Sequence, residues 1–279
     1  MKNINIYAFA DEASANIDEQ IVAMKRNGLQ GLEIRNVDGI GISDITVQKA
    51  KEVKTKLDDA GLIVWSLGSP IGKIGLSDDF DAHIEKLKHT LEIGNILGTS
   101  NIRLFSFYPP SGTDFDDYEN EVIGRVGKMA EVCVSFGITP CHENEKNIFG
   151  DVAKRCLKLY EQLPLIQGIF DPANFIQSGQ ETNVAWAMLK PYIKYLHIKD
   201  ALKDGTVVPA GDGEGHLQEI VADFVNFGGK DFTIEPHLYE FIGFKDLEKD
   251  DNKTIMKSYS YKNSDEAFDV ACDAFKKLL

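Results

Sequence analysis

Residues 138–200 read ITPCHENEKNIFGDVAKRCLKLYEQLPLIQGIFDPANFIQSGQETNVAWAMLKPYIKYLHIKD, and their patterning decides the fold. Three short β-type runs, Ile138–Glu143, Gln167–Asp171 and Ile193–Lys199, alternate with two segments of helical period. The first helical segment is Val152–Leu163, for which Asp151 is the expected N-cap. The second is shorter, lies around Asn183–Leu189 and is stopped by Pro191. Repetition of strand, helix and strand predicts parallel strands joined by crossover helices.

The alternation extends in both directions. Upstream, the runs Ile4–Ala8, Gly31–Arg35, Leu62–Leu67 and Asn101–Phe107 are each followed by a helical segment: Ile17–Asn27, Val47–Ala60, Phe80–Leu97 and Tyr118–Phe136. These helices stop at Gly28, Gly61, Gly98 and Gly137, the residue type suited to leaving a helix in left-handed backbone. Downstream come a helix over Leu217–Phe227, a strand over Asp231–Glu235 and a helix over Glu266–Leu279. Eight βα units of about 35 residues each predict an α/β fold, a single (β/α)8 TIM barrel spanning residues 1–279 as one domain. Two stretches interrupt the pattern, 200–216 with its Gly205, Pro209, Gly211, Gly213 and Gly215, and 238–263. Both follow strands, so both are expected as long loops on the C-terminal face, where such barrels keep their active sites.

Composition narrows the function classes. Thirty Lys and Arg against 44 Asp and Glu give a formal charge of −14, which opposes phosphate backbones and anionic membranes as partners. No apolar run approaches the roughly 20 residues of a membrane span. The chain starts on an alternating pattern, Met1-Lys-Asn-Ile-Asn-Ile6, without the apolar segment of a secretory leader, so a cytoplasmic location is expected. Cys133, Cys141, Cys156 and Cys272 show no CxxC spacing and read as reduced, buried thiols. His83 and His89 fall among charged neighbours on a helix and are expected at the surface.

Where the apolar runs stop, polar residues begin. Strands five to eight end in Pro140-Cys-His-Glu-Asn-Glu145, Phe170-Asp-Pro-Ala-Asn174, Leu196-His-Ile-Lys-Asp200 and Ile234-Glu-Pro-His237. Adjacent barrel strands converge at one end, which would gather Glu143, Asp171, His197 and Glu235. Three carboxylates and an imidazole form a hard, oxygen-rich set that suits Mn²⁺, Mg²⁺ or Co²⁺ and is compatible with Zn²⁺; the cation would relieve repulsion among the anions. Lys199, two positions past His197, shares its strand face and suits charge neutralisation on a substrate. His237 stands in the same relation to Glu235. Glu33 and Arg35 at the end of strand two either hold sugar hydroxyls or pair as rim charges, and Asn174 is a further candidate to bind substrate; Glu145 is either a further site carboxylate or a solvated loop residue. Trp65, Phe107 and Tyr108, near the ends of strands three and four, could wall a sugar ring or simply pack the core.

These segments, in this order and with Gly-Asp-Gly-Glu-Gly at 211–215, resemble the xylose isomerase-like barrel superfamily along essentially the whole chain. That superfamily includes sugar and sugar-phosphate isomerases and epimerases, inosose-processing enzymes and an apurinic endonuclease. The resemblance implies a divalent metal on Glu143, Asp171, His197 and Glu235, with Glu143 and Glu235 doubling as acid and base. The implied reaction is isomerisation or epimerisation of a small sugar, sugar phosphate, polyol or cyclitol by proton transfer through a cis-enediolate, stabilised by metal on the substrate oxygens. An inosose dehydratase-type lyase is the alternative on the same metal site, with Lys199 or His237 as acid at the leaving hydroxyl. A nuclease is disfavoured by the charge and by Asn174, which stands where the endonuclease branch has a histidine; Glu214-Gly-His216 is an isolated echo of that branch. A barrel that binds a ligand without turnover is the remaining reading. The glycines at 211–215 are interleaved with Asp212 and Glu214 and form no clean phosphate cup, favouring a neutral polyol. Leu238, Tyr239, Phe241, Ile242 and Phe244 could cover the site or reach a second subunit, leaving a homo-oligomer open.

Overall fold

The computed structural model describes residues 4–241 and 261–279. Eight parallel strands close into a barrel: β1 (Asn5–Ala8), β2 (Gly31–Ile34), β3 (Ile63–Leu67), β4 (Asn101–Leu104), β5 (Thr139–Glu143), β6 (Gln167–Phe170), β7 (Ile193–Ile198) and β8 (Asp231–Ile234). β8 returns to pair with β1, Asn5 opposite Asp231 and Ala8 opposite Ile234, so the sheet has no free edge. This is the α/β TIM barrel expected from the alternation.

Helices α1 (Ile17–Arg26), α2 (Val47–Ala60), α3 (Phe80–Leu97), α4 (Glu119–Ser135) and α5 (Ala153–Gln162) follow the first five strands. α6 (Pro172–Gln177) and α7 (Thr182–Leu189) follow β6, α8 (Leu217–Asn226) follows β7 and α9 (Ser264–Lys276) is the last element. Gly61 and Gly98 end α2 and α3 with φ of 72° and 77°, conformations that carry little penalty without a Cβ. The start of α5 departs from expectation. Its N-cap is Val152, and Asp151 belongs to a preceding 3₁₀ turn where its carboxylate pairs with Arg155.

The two-residue period of the strands divides the barrel interior into layers. Cys141, Ile169 and Tyr195 form an apolar floor with Trp65, which stacks on Tyr7 at 4.7 Å and meets Tyr195 edge-on at 5.7 Å. Two residues further along the same strands come Glu143, Asp171 and His197. Trp65 is therefore a floor residue, and Phe107 is fully buried against Phe80 and His83, so neither walls the site.

His83 is not at the surface. It is 8% exposed, its Nε2 accepts the Gly72 N–H at 2.8 Å, and burial lowers its pKa to about 4. Its charged neighbours in sequence occupy other faces of α3, which is why composition alone misplaced it. His89 is half-buried, with Nε2 2.9 Å from the Ile45 carbonyl. The four cysteines are free and buried, as expected. No helix among the described residues is long and apolar enough to cross a membrane. The stretch 200–216 carries a short ribbon, Asp200–Ala201 against Val207–Val208. Of the stretch 238–263, residues 242–260, with Ile242 and Phe244, lie outside the described residues.

Candidate metal centre and active site

Glu143 is the last residue of β5, Asp171 follows β6, His197 is in β7 and Glu235 follows β8. Each offers one ligand atom, all four residues are buried, and the atoms lie within 4.8 Å of one another. His197 Nδ1 is 2.9 Å from Glu143 Oε1, 3.6 Å from Glu235 Oε2 and 4.0 Å from Asp171 Oδ2.

Local folding sets these positions. Asp171 is the N-cap of α6, its Oδ1 accepting the Asn174 N–H at 2.9 Å, with Pro172 at the first helical position. Asn144 extends the β5–β6 pairing with its side chain: its amide donates to the Asp171 carbonyl and accepts the Asp171 N–H, both at 2.9 Å. Asn174 Nδ2 donates to Glu143 Oε1 at 3.3 Å and to the Asn144 carbonyl at 3.0 Å. Asn174 thus ties two of the candidate ligands together.

Three cations thread between the acids. Lys199 Nζ donates to Glu235 Oε2 at 3.0 Å and lies 2.8 Å from Asp171 Oδ2. Arg103 NH1 donates to Glu143 Oε2 at 3.1 Å and lies 3.6 Å from Glu235 Oε1. Arg35 gives both Nε and NH2 to Asp11, NH2 also to Glu12, and NH1 to Glu235 Oε1 at 3.1 Å. Its guanidinium sits between the rings of Phe9 and Phe241, 4.5 and 4.6 Å from their centroids. Glu33 accepts from His197 Nε2 at 3.0 Å and from Tyr195 Oη at 2.9 Å.

The electrostatics follow from this packing. Burial pushes carboxyl pKa values up, but around Glu143 the charges of His197 and Arg103 outweigh it and bring the group down to about 2. Glu235, also buried, is held well below the usual carboxylate range chiefly by Lys199. For Asp171 burial prevails over Lys199 and the group rises to about 7. Burial likewise raises Glu12 to about 8 against the opposing charge of Arg35. Burial works against a charged His197, but Glu143 and Glu33 overcome it and raise the imidazole well above its ordinary value.

A divalent cation fits this donor set. Asp11, Glu12, Glu33, Glu143, Asp171 and Glu235 are buried together with Arg35, Arg103, Lys199 and His197, and a cation held by Glu143, Asp171, His197 and Glu235 would take the place of the protons that burial keeps on Asp171 and that the carboxylates keep on His197. Asp171 Oδ2 is buried and, although Lys199 Nζ is close, receives no hydrogen bond of acceptable geometry. Ligands about 2.1 Å from one ion lie at most about 4.2 Å apart, near the span observed, and the mixed oxygen and nitrogen set suits Mn²⁺, Mg²⁺, Co²⁺ or Zn²⁺.

His237, expected beside Glu235, lies at the margin of the cluster. It has left-handed backbone, φ 45°, donates its N–H to Glu12 Oε2 at 2.6 Å and stacks its ring on Phe241. Glu145 is paired with Lys73 at 2.7 Å on the rim. Glu214 and His216 are exposed before α8, apart from the cluster. Asp200 accepts the N–H groups of Ala201, Gly211, Gly213 and Gly215 at 2.9 to 3.1 Å, pinning the loop after β7 to its strand. A Cβ at Gly213 or Gly215 would come 2.3 or 2.6 Å from Asp200 Oδ1, so the loop needs glycine at both places.

Asp11, Glu12, Phe9 and Arg103 belong to the site, yet the strand-end pattern did not select them. Arg103 had a signal: it stands two residues after Asn101 in β4, on the face that the period turns inward. Asp11 and Glu12 lie in a 3₁₀ turn, Ala10–Glu12, just beyond β1, where an acidic pair directly after an apolar run was the available cue.

A model of the xylose isomerase-like TIM barrel family matches residues 21–243, and the chain belongs to that family. Over 180 residues it is 24% identical to the 3-dehydroshikimate dehydratase of Bacillus anthracis, a match spanning 62% of each protein, so less than two thirds of that relative is represented. Among solved structures, the barrel superposes on D-psicose 3-epimerase with a TM-score of 0.75 at 16% identity, covering 98% of both chains. It superposes on the IolI protein, solved with a zinc atom, with a TM-score of 0.76 at 11% identity, covering 99% of this chain and 98% of that one.

Proposed function

We propose that the chain is a divalent metal-dependent isomerase or epimerase of a small sugar, sugar phosphate, polyol or cyclitol, with Glu143, Asp171, His197 and Glu235 holding the ion. The observation that carries this reading is the placement of Glu143 and Glu235. These two buried glutamates come from strands three places apart around the ring, face the same Arg103 nitrogen, and each offer a ligand atom to one cluster with Asp171 and His197. One carboxylate takes a proton from carbon next to a carbonyl; the other, Glu235, first protonated from solvent through the Lys199 ammonium that donates to it, returns a proton to the same or the adjacent carbon, and the first carboxylate then gives its proton back to solvent. When bound, the cation supplies electrophilic stabilisation of the oxygen that becomes negative as the proton leaves. Lys199 and His237 meet the substrate; Asn174, Arg35 and Glu33, read from the sequence as holders of substrate hydroxyls, instead bond Glu143, Glu235 and His197 and hold those side chains in place. The structural likeness to D-psicose 3-epimerase supports this class.

Dehydration is the second reading, supported by the relative named as a dehydratase and by the Lys199 ammonium beside Glu235, where it could protonate a leaving hydroxyl. Incubation in D₂O with Mn²⁺ and a panel of ketoses, ketose phosphates, inososes and 3-dehydroshikimate tests both. Deuterium recovered in substrate or its isomer supports the first reading; a product short of one water supports the second. A panel without exchange or elimination overturns both.

A further inference from the structure

We propose that Glu33 is a positioning residue that fixes His197 as a ligand through Nδ1, acting as the upper end of a buried chain Ser66–Tyr195–Glu33–His197 through which the barrel floor sets metal affinity. The inference rests on the metal-binding reading above.

Donor accounting gives the chain its direction. Ser66, Tyr195, Glu33 and His197 are each 0% exposed, so water cannot substitute for a missing partner. Tyr195 Oη spends its one proton on Glu33 Oε1 at 2.9 Å. The contact between Ser66 Oγ and Tyr195 Oη, 3.2 Å, must then run from the serine hydroxyl to the tyrosine oxygen. Glu33 as a carboxylate has only acceptors, so the 3.0 Å contact between its Oε2 and His197 Nε2 places a proton on Nε2. The opposite nitrogen, Nδ1, faces Glu143, Glu235 and Asp171; at 2.9 Å from Glu143 Oε1 it too carries a proton in the metal-free protein, and a cation held by these carboxylates would take that proton's place. A histidine that donates its far nitrogen to a carboxylate has its tautomer and ring orientation set for metal ligation, and such partners typically contribute 10- to 100-fold in affinity.

The backbone shows how the chain is built. The β2–β3 pairing slips between Leu32 and Glu33: Leu32 faces Val64, Glu33 faces Ser66, and Trp65 is passed over. This irregularity, of the kind that redirects side chains near active sites, puts Ser66 and Glu33 level with each other. Tyr195 and His197 follow on one face of β7 by the two-residue period, so the relay climbs from floor to charged layer within one strand.

The test is Zn²⁺ and Mn²⁺ titration of metal-free protein, with ¹⁵N-histidine NMR of the Zn²⁺-loaded form. The wild type should show His197 with Nδ1 bound to metal and Nε2 protonated. Glu33→Gln should weaken both metals by about 10- to 100-fold, while Glu33→Asp recovers part of the loss and Tyr195→Phe weakens them less than Glu33→Gln. The wild-type spectrum needs no variant to fold: metal on Nε2 overturns the inference, as does Glu33→Gln with unchanged affinity in a folded protein. If Glu143→Gln and His197→Ala leave affinity unchanged, the metal-binding reading fails. If those two lose binding and Glu33→Gln keeps it, only this inference fails.

Discussion

Two layers of the same barrel, two residues apart along the same strands, solve burial in opposite ways. The floor of Cys141, Ile169, Tyr195 and Trp65 is held by apolar and aromatic contact. The layer above it, Glu143, Asp171, His197 and Glu235 threaded by Arg35, Arg103 and Lys199, is held by paired charge. Contact within the floor takes no ion out of water, whereas each ion in the upper layer has been taken out of water and depends on its partner for compensation. The upper layer is thus the part of the interior that a bound cation can reorganise, and the floor is the part that keeps its shape while that happens.

The largest effect should come from the glutamates proposed as acid and base. Glu235→Gln is expected to lower kcat about 10²- to 10⁴-fold on whichever substrate the exchange panel identifies, with circular dichroism unchanged; a loss below tenfold would remove Glu235 from that role. Next, Arg103→Met leaves Glu143 without its main guanidinium partner and should cost about 3–5 kcal/mol of stability in urea unfolding of metal-free protein. Added Mn²⁺ should recover part of that loss beyond the stabilisation it gives the wild type. In the floor, Ile169→Ala should cost about 2–5 kcal/mol, and here Mn²⁺ should shift variant and wild type equally. Equal metal responses of the two variants would break the contrast between the layers.

The smallest effect concerns two buried imidazoles with opposite surroundings. His197 lies among carboxylates and is raised, whereas burial lowers His83 on α3 to about 4. Between pH 4 and the ordinary histidine pKa of about 6.5, the unfolded chain binds a proton at His83 that the folded chain does not. His83 therefore contributes stability that rises with pH across this window and is lost as pH falls through it. Urea midpoints measured from pH 4.5 to 7 should slope less steeply in His83→Gln than in wild type.

Much of the barrel was legible because its signals are local and repeated. A period of two gave way to a period of 3.6 along most of the chain, with glycines closing the helices after strands one to four. The four cluster residues were legible because each sits where an apolar run stops. α6 escaped notice: six residues beginning at Pro172 are too short for a helical period to emerge. Asp11 and Glu12 lie outside any strand, and their importance depends on Arg35 at the end of the neighbouring strand β2, which reaches them only once β1 and β2 have paired. The relation between Glu33 and His197 spans 164 positions and depends on a slip in strand pairing, which no local pattern encodes.

Asp200 carries a consequence for how such an enzyme could change. One carboxylate grips the backbone at Gly211, Gly213 and Gly215, and between its own strand end and that grip the chain runs out through the ribbon of Asp200–Ala201 and Val207–Val208 and back. Both feet of the excursion are clamped at one point, and its tip around Lys203–Gly205 is joined to the fold at Gly205, whose carbonyl accepts from Gln177 Nε2 of α6 at 3.1 Å, so Lys203 and Asp204 can change without transmitting the change to His197 or α8. The rim beside β7 is in effect a replaceable part on a fixed mount, a place where new substrate preferences can be tried while the charged layer beneath is left alone.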